Sequence, residues 1–105
     1  MYNLYVIELD PRVLIYRKFR DANPDRREDK PCVYVGSTAL TPEERFIQHK
    51  NGTRSNRYAR RFGVRLRPRL YKNYQGIATR KLAELKEKRL AERLRKRGYA
   101  VWYGI

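Results

Sequence analysis

Val33-Tyr34-Val35-Gly36-Ser37, followed three residues later by Thr41-Pro42-Glu43-Glu44-Arg45-Phe46-Ile47-Gln48-His49, is the stretch on which the reading of this chain turns. Its first half is apolar and β-branched, and predicts a buried strand over Cys32–Ser37 with Gly36 near its end. Its second half opens a helix. Thr41 stands at the N-cap, Pro42 in the first turn and Glu44 three residues on, the pattern of a capping box. Asn51-Gly52 predicts where that helix stops. Arg45 and the chain's single histidine, His49, are spaced i,i+4 and project from one helix face. A phenol, a guanidinium and an imidazole thus meet at one strand-to-helix junction, a combination suited to a phosphate. Spacing alone leaves the function open, because an idle helical histidine and one more surface arginine fit these positions as well.

Working outward, the charge of the chain sharpens the choice. Twenty-six Lys and Arg face eleven Asp and Glu in 105 residues, a net charge of +15, with a mean hydropathy of −0.90 and a pI near 10.4. Such an excess works against compaction unless a polyanion neutralises part of it, and nucleic acid is the expected partner, DNA foremost. No long apolar run or lipidation motif points to a membrane. Glu8 and Asp10 interrupt the apolar start of the chain, which argues against a signal peptide. One cysteine, Cys32, leaves no partner for an internal disulfide and no cysteine zinc site. A reducing, cytoplasmic setting follows as the expectation, compatible with nucleoid association. Between Glu44 and Glu84 there is no acid but there are twelve Lys and Arg. Lys50, Arg54, Arg57, Arg60, Arg61, Arg65 and Arg67 are the candidates for gripping a phosphate backbone, with Tyr58, Phe62, Tyr71 and Tyr74 interleaved for stacking. A solvated basic face that only aids solubility is the bland alternative.

The remaining elements are short. Tyr2–Leu9 predicts a strand ended by Asp10-Pro11, and Val13–Phe19 predicts its extension or a second strand. Ala22–Pro31 predicts a loop, Asn56–Phe62 a short helix closed by Gly63, and Val64–Tyr71 an edge strand or irregular segment limited by Pro68. Ile77–Arg97 predicts the longest helix, ended by Gly98, and Ala100–Tyr103 a final strand. At 100° per residue, Glu87 falls among Ala83, Leu90, Ala91 and Leu94 on the stripe expected to be buried. A carboxylate there needs a metal ion or an arginine as partner. Tyr5 and Tyr34 are expected at corresponding positions of two paired strands. If they are close together beside positive charge, their phenols are expected to titrate lower than usual, and to serve as a general base toward water or to hydrogen-bond the phosphate under attack. Packing is the commoner role of strand tyrosines.

Taken together, these residues resemble the GIY-YIG nuclease superfamily, in the form of a small stand-alone domain. The first motif reads here as Asn3-Leu4-Tyr5 and the second as Tyr34-Val35-Gly36, with Arg45 and His49 on the next helix and Glu87 before Leu90-Ala91 on a later one. The likeness runs from Tyr2 to Trp102. It implies an α+β fold, a small, mainly antiparallel sheet flanked by helices, in one domain over 1–105. An insertion at about 10–31 separates the two motif strands, expected as a hairpin of its own or a substrate-contacting arm. The family's asparagine near the end has no counterpart, its place being held by Tyr99 or Ala100.

The resemblance also implies a function: a metal-dependent endonuclease hydrolysing phosphodiester bonds. Glu87 would ligate one Mg²⁺ or Mn²⁺, Arg45 would face the scissile phosphate, and Tyr5 or Tyr34 with His49 would orient or activate water. Gly36 would allow close approach at the strand end. Two other readings are a nucleic-acid-binding module of this fold that has lost cleavage, and a small basic component of a ribonucleoprotein. Oligomeric state is left open.

Overall fold

Asn3–Leu9 becomes strand β1, and Tyr2 before it is held in an isolated bridge to Ile77 in the computed structural model, which describes residues 1–104. Leu4, Val6 and Ile7 of β1 are all fully buried, so the strand is covered on both faces and lies inside the sheet. Its antiparallel partner is β2 (Cys32–Thr38), in a ladder that runs from Asn3 opposite Thr38 to Leu9 opposite Cys32. The sheet order is β3-β1-β2-β4, with β3 (Gly63–Leu66) antiparallel to β1 at one edge. At the other edge β4 (Ala100–Tyr103) runs parallel to β2. Helices flank this four-stranded mixed sheet, the α+β architecture expected. Among the described residues no helix is long and apolar enough to cross a membrane, and Cys32 is a free, buried thiol.

Helix α2 (Pro42–Asn51) is the one the opening stretch predicts. Thr41 accepts from the Glu44 backbone, Glu44 reaches back to Thr41, and Gly52 closes the helix in a left-handed conformation at φ 88°. After it, α3 (Arg57–Phe62) is capped by the Asn56 side chain, which accepts from the backbones of Tyr58 and Ala59. Strand β3 stops before Pro68, where a 3₁₀ turn (Pro68–Leu70) takes over.

Three expectations are corrected. Val13–Phe19 is not extended: a 3₁₀ turn (Pro11–Ile15) leads into helix α1 (Arg17–Asp21). The Asp10 carboxylate caps the Arg12 backbone, and only Val13 and Phe19 of the run are driven inside, while Ile15 stays 65% exposed. The inserted segment therefore makes no hairpin. Its loop after Asp21 is anchored by Asn23, whose amide bonds both the N–H and the C=O of Val101 on the open edge of β4. Last, α4 spans Arg80–Lys96 rather than starting at Ile77. Ile77 exchanges two backbone bonds of 2.7 Å with Tyr2, and Thr79 then caps the helix through the Leu82 N–H.

Candidate active site

Side chains alternate across β2, so Tyr34 and Gly36 face one side of the sheet and Ser37 the other. On the first side Tyr5 stands directly opposite Gly36, while Tyr34 stands opposite Ile7. The two tyrosines are thus diagonal neighbours rather than the corresponding pair expected, with ring centroids 6.2 Å apart. A Cβ on Gly36 would overlap Oη and Cζ of Tyr5 and stand 2.9 Å from its Cε1. Glycine at this position makes room for the Tyr5 phenol, a narrower role than general backbone approach at the strand end.

Helix α2 delivers His49 into the same space. The imidazole is completely buried, and its Nε2 lies 2.7 Å from Tyr5 Oη. Nδ1 accepts the backbone N–H of Asn56 at 3.1 Å. That bond fixes the tautomer: a neutral ring that accepts at Nδ1 carries its proton on Nε2, so His49 donates to Tyr5. Burial, aided by the charge of Arg45, pulls His49 down to about 4, and the ring is neutral at pH 7. The idle surface histidine is excluded.

Arg45, half-buried one turn earlier, donates from Nη1 to Gln48 Oε1 (3.0 Å) and the Thr53 carbonyl (3.1 Å), and from Nη2 to the Arg54 carbonyl (2.8 Å). Arg54 presents that carbonyl from a left-handed backbone, φ 46°. The guanidinium charge also acts on the Tyr5 phenol, favouring its ionised form.

The other side of the sheet supplies the acid. Ala83, Glu87, Leu90, Ala91 and Leu94 form the buried stripe of α4, as the periodicity predicts. Burial pushes the Glu87 carboxyl up to about 7, although the Ser37 hydroxyl works against that shift. It takes part in no ion pair among the described residues, so the arginine partner considered from sequence is absent. The two sides meet at the end of the sheet. Tyr34 donates its phenol proton to the Gly104 carbonyl, and Glu87 Oε2 comes within 3.5 Å of where a Cβ on Gly104 would stand.

The phenols behave opposite to expectation. Burial pushes Tyr5 up to about 12, with Arg45 working against it, and pushes Tyr34 up further, helped by the charges of Tyr5 and Glu87. One guanidinium does not offset the loss of water around two phenols and an acid.

Of the seven candidate phosphate-binding cations, Arg65 and Arg67 instead pair with Glu8 at 3.1 and 3.0 Å. Lys50 donates to the carbonyls of Arg60 and Gly63, each at 2.9 Å. Arg54, Arg57, Arg60 and Arg61 are exposed and make no ion pair among the described residues. Sequence reasoning missed Asn56, Ser37 and Gly104. Asn56 was legible as a helix cap, but nothing in the sequence ties its N–H to His49.

A divalent cation of the kind used by nucleases of this type needs hard oxygen donors. Among the described residues there is no cluster of three or more His, Cys, Asp or Glu. Glu87 with the Ser37 hydroxyl offers oxygen only. That donor set fits a Mg²⁺-like ion that keeps several of its waters, and does not fit a closed zinc site. A family model described as the GIY-YIG catalytic domain matches residues 14–100. No curated protein and no solved structure matches the chain. The matched range begins after β1, so the place of Tyr5 rests on its bond to His49 and its seat over Gly36.

Proposed function

The chain belongs to the GIY-YIG family of nucleases, and from that premise we propose that it is a divalent-metal-dependent endonuclease that hydrolyses phosphodiester bonds in DNA. The observation that carries this reading is the hydrogen-bonded line from the Asn56 N–H through His49 to Tyr5 Oη. Because Nε2 carries the proton, His49 is a donor to Tyr5 and not a base toward water. Tyr5 accepts from His49 in this line, and burial keeps its phenol protonated at neutral pH, so it orients the attacking water, whose proton passes to bulk solvent. His49 donates to Tyr5 Oη, and the positive charge of Arg45 stands beside that phenol. Tyr34, committed to the Gly104 carbonyl, orients rather than abstracts.

Arg45 carries a fixed positive charge beside the phenols, which favours the extra negative charge of a pentacoordinate phosphorus. Glu87 would hold the cation, with Ser37 beside it. When bound, a divalent ion there would polarise the phosphate oxygens and draw down the pKa of nearby acids. Mg²⁺ and Mn²⁺ are both compatible with the donor set.

The test is cleavage of a panel of single-stranded, duplex and branched DNA and of RNA, with Mg²⁺ or Mn²⁺, by wild type, Tyr5→Phe and Glu87→Gln. The expected result is cleavage by wild type alone. No cleavage on any substrate, or cleavage by Glu87→Gln at the wild-type rate, sinks the reading. A module that binds without cutting is the second reading, favoured by what occupies the place of the family's asparagine. Tyr99 there is buried under Lys30 and Arg97, and Ala100 is paired with Cys32. Binding with no cleavage at any metal concentration would select it.

A further inference from the structure

Lys50, Ser55, Arg57, Arg60 and Arg61 bound a shallow depression of about 570 Å³. It adjoins the catalytic cluster through the backbone: Lys50 follows His49, and Asn56, between Ser55 and Arg57, donates its N–H to His49. We propose that this depression holds the phosphate backbone of the nucleic acid next to the cluster, and that Tyr16 of the inserted segment is the positioning residue that aims two of its arginines. The inference takes its ligand class from the nuclease reading, but does not need cleavage.

Three observations carry it. The cations around the depression are uncompensated. Arg57, Arg60 and Arg61 meet no acid among the described residues, and Lys50 is pinned by carbonyls that leave its charge intact. Four adjacent positive charges without an acid repel one another unless an anion sits among them. Other cations are compensated at least in part by contrast: Arg65 and Arg67 share the single charge of Glu8, Arg12 pairs with Asp10 and Arg17 with Asp21.

The third observation concerns the insertion. Tyr16 sits between the 3₁₀ turn and α1, edge-on to Tyr58 and Phe62 at 5.7 and 5.9 Å. Arg57 lies 4.9 Å from the centroid of its ring and Arg61 lies 5.9 Å from it. Arg61 Nη1 also donates to Tyr16 Oη. Guanidiniums laid against one aromatic ring lose side-chain freedom before any phosphate arrives, which lowers the entropy cost of binding. Arg57 also lies 5.0 Å from the Tyr58 ring and Arg61 5.4 Å from the Phe62 ring, so the insertion completes the aromatic surface that fans these arginines, and does not supply the phosphate contacts themselves.

The experiment is fluorescence anisotropy of a labelled 20-base-pair DNA duplex, in chelator so that nothing is cut, over a range of KCl concentrations. Arg57→Ala, Arg60→Ala and Arg61→Ala are each expected to flatten the slope of log K against log salt by about 0.9. Arg12→Ala, whose charge is matched one-to-one by Asp10, should leave the slope alone. Tyr16→Leu, which keeps apolar bulk and removes no charge, should weaken binding several-fold and flatten the slope, while Tyr16→Phe retains most of both. The exposed arginine variants keep the test sharp even if Tyr16→Leu folds poorly. A wild-type slope in all three α3 variants overturns the site, and a wild-type slope in folded Tyr16→Leu overturns the positioning role. A protein that never cuts but shows these slopes refutes the nuclease reading and leaves this one standing.

Discussion

On the face of the sheet that carries Tyr5, His49 has both ring nitrogens occupied and no exposed surface. On the α4 face, Glu87 is eased only by the neutral Ser37 hydroxyl and makes no ion pair among the described residues. Both groups are buried, and burial works on them in opposite directions, since it always disfavours the charged form. For the histidine the neutral form is also the one its hydrogen bonds require, so that half of the site is complete as folded. For the glutamate the charged form is the useful one, and the fold holds it near its titration point. One face is built to keep a proton in place, and the other to receive positive charge.

Glu87→Gln breaks this comparison most severely. Cleavage is expected to fall by at least about 10³-fold, the scale of losing a main electrostatic element of a reacting centre. Stability should move the other way, because the amide fills the same space without a buried charge. At pH 8 the gain is at most roughly 3 kcal/mol, the equivalent of the shift to about 7. A less stable variant would mean that the carboxylate is already compensated. Gly36→Ala attacks the opposite face. Its Cβ must displace the Tyr5 ring, so a loss of about 1–3 kcal/mol is expected from overpacking. A fall of about 10²-fold in rate should accompany it, from misplacing a reacting group. Unchanged kinetics would remove Tyr5 from the mechanism.

The pH dependence of stability compares the two faces directly. Glu87 ordinarily titrates at 4.5 and in the fold at about 7, so the unfolded chain sheds a proton that the folded chain keeps. Its contribution is full below pH 4.5 and is lost as pH rises through 7. His49 ordinarily titrates at 6.5 and in the fold at about 4. Its contribution is full above pH 6.5 and is lost as pH falls through 4. The two slopes oppose each other across the shared window and leave the wild type nearly flat there. In Glu87→Gln only the histidine slope remains, a rise of roughly 3 kcal/mol from pH 4 to 6.5. His49→Gln should show the mirror image, a fall between pH 4.5 and 7. Denaturant unfolding in chelator from pH 4 to 8 measures both, and a flat profile in either variant refutes the assignment for that face.

What could be read from the sequence follows the same division. The capping box of α2, the i,i+4 pair and the buried stripe containing Glu87 are local or periodic features, and each appears where it was expected. Val13–Phe19 was misread because an apolar, β-branched run looks the same whether it pairs or merely anchors a turn through Val13 and Phe19. The start of α4 was misplaced because the Tyr2–Ile77 bridge is a contact across the chain. The phenol shifts were reversed for a related reason. Neighbouring charge can be guessed from composition, whereas depth of burial emerges only when both strands and α2 close over Tyr5. The match of the family model to residues 14–100 likewise stops short of the strand that supplies this tyrosine.

The smallest expected effect tests how far the completed face extends into the backbone. Arg45 is held by the carbonyls of Thr53 and Arg54, not by the Arg54 side chain. Arg54 holds its carbonyl there at φ 46°, where a side chain is strained. Arg54→Gly and Arg54→Ala remove the same charge and the same stem, and differ only in what they cost at that dihedral. The glycine variant should be the more stable by about 1 kcal/mol, less the few tenths it loses through a freer unfolded chain. Their cleavage rates should agree within about twofold, since the carbonyl that clamps Arg45 survives in both. Equal stabilities would show that the turn relaxes when the side chain goes. A slower alanine variant would show that the strained turn shifts and carries the carbonyl away from Arg45, and that this half of the site is less complete than its hydrogen bonds suggest.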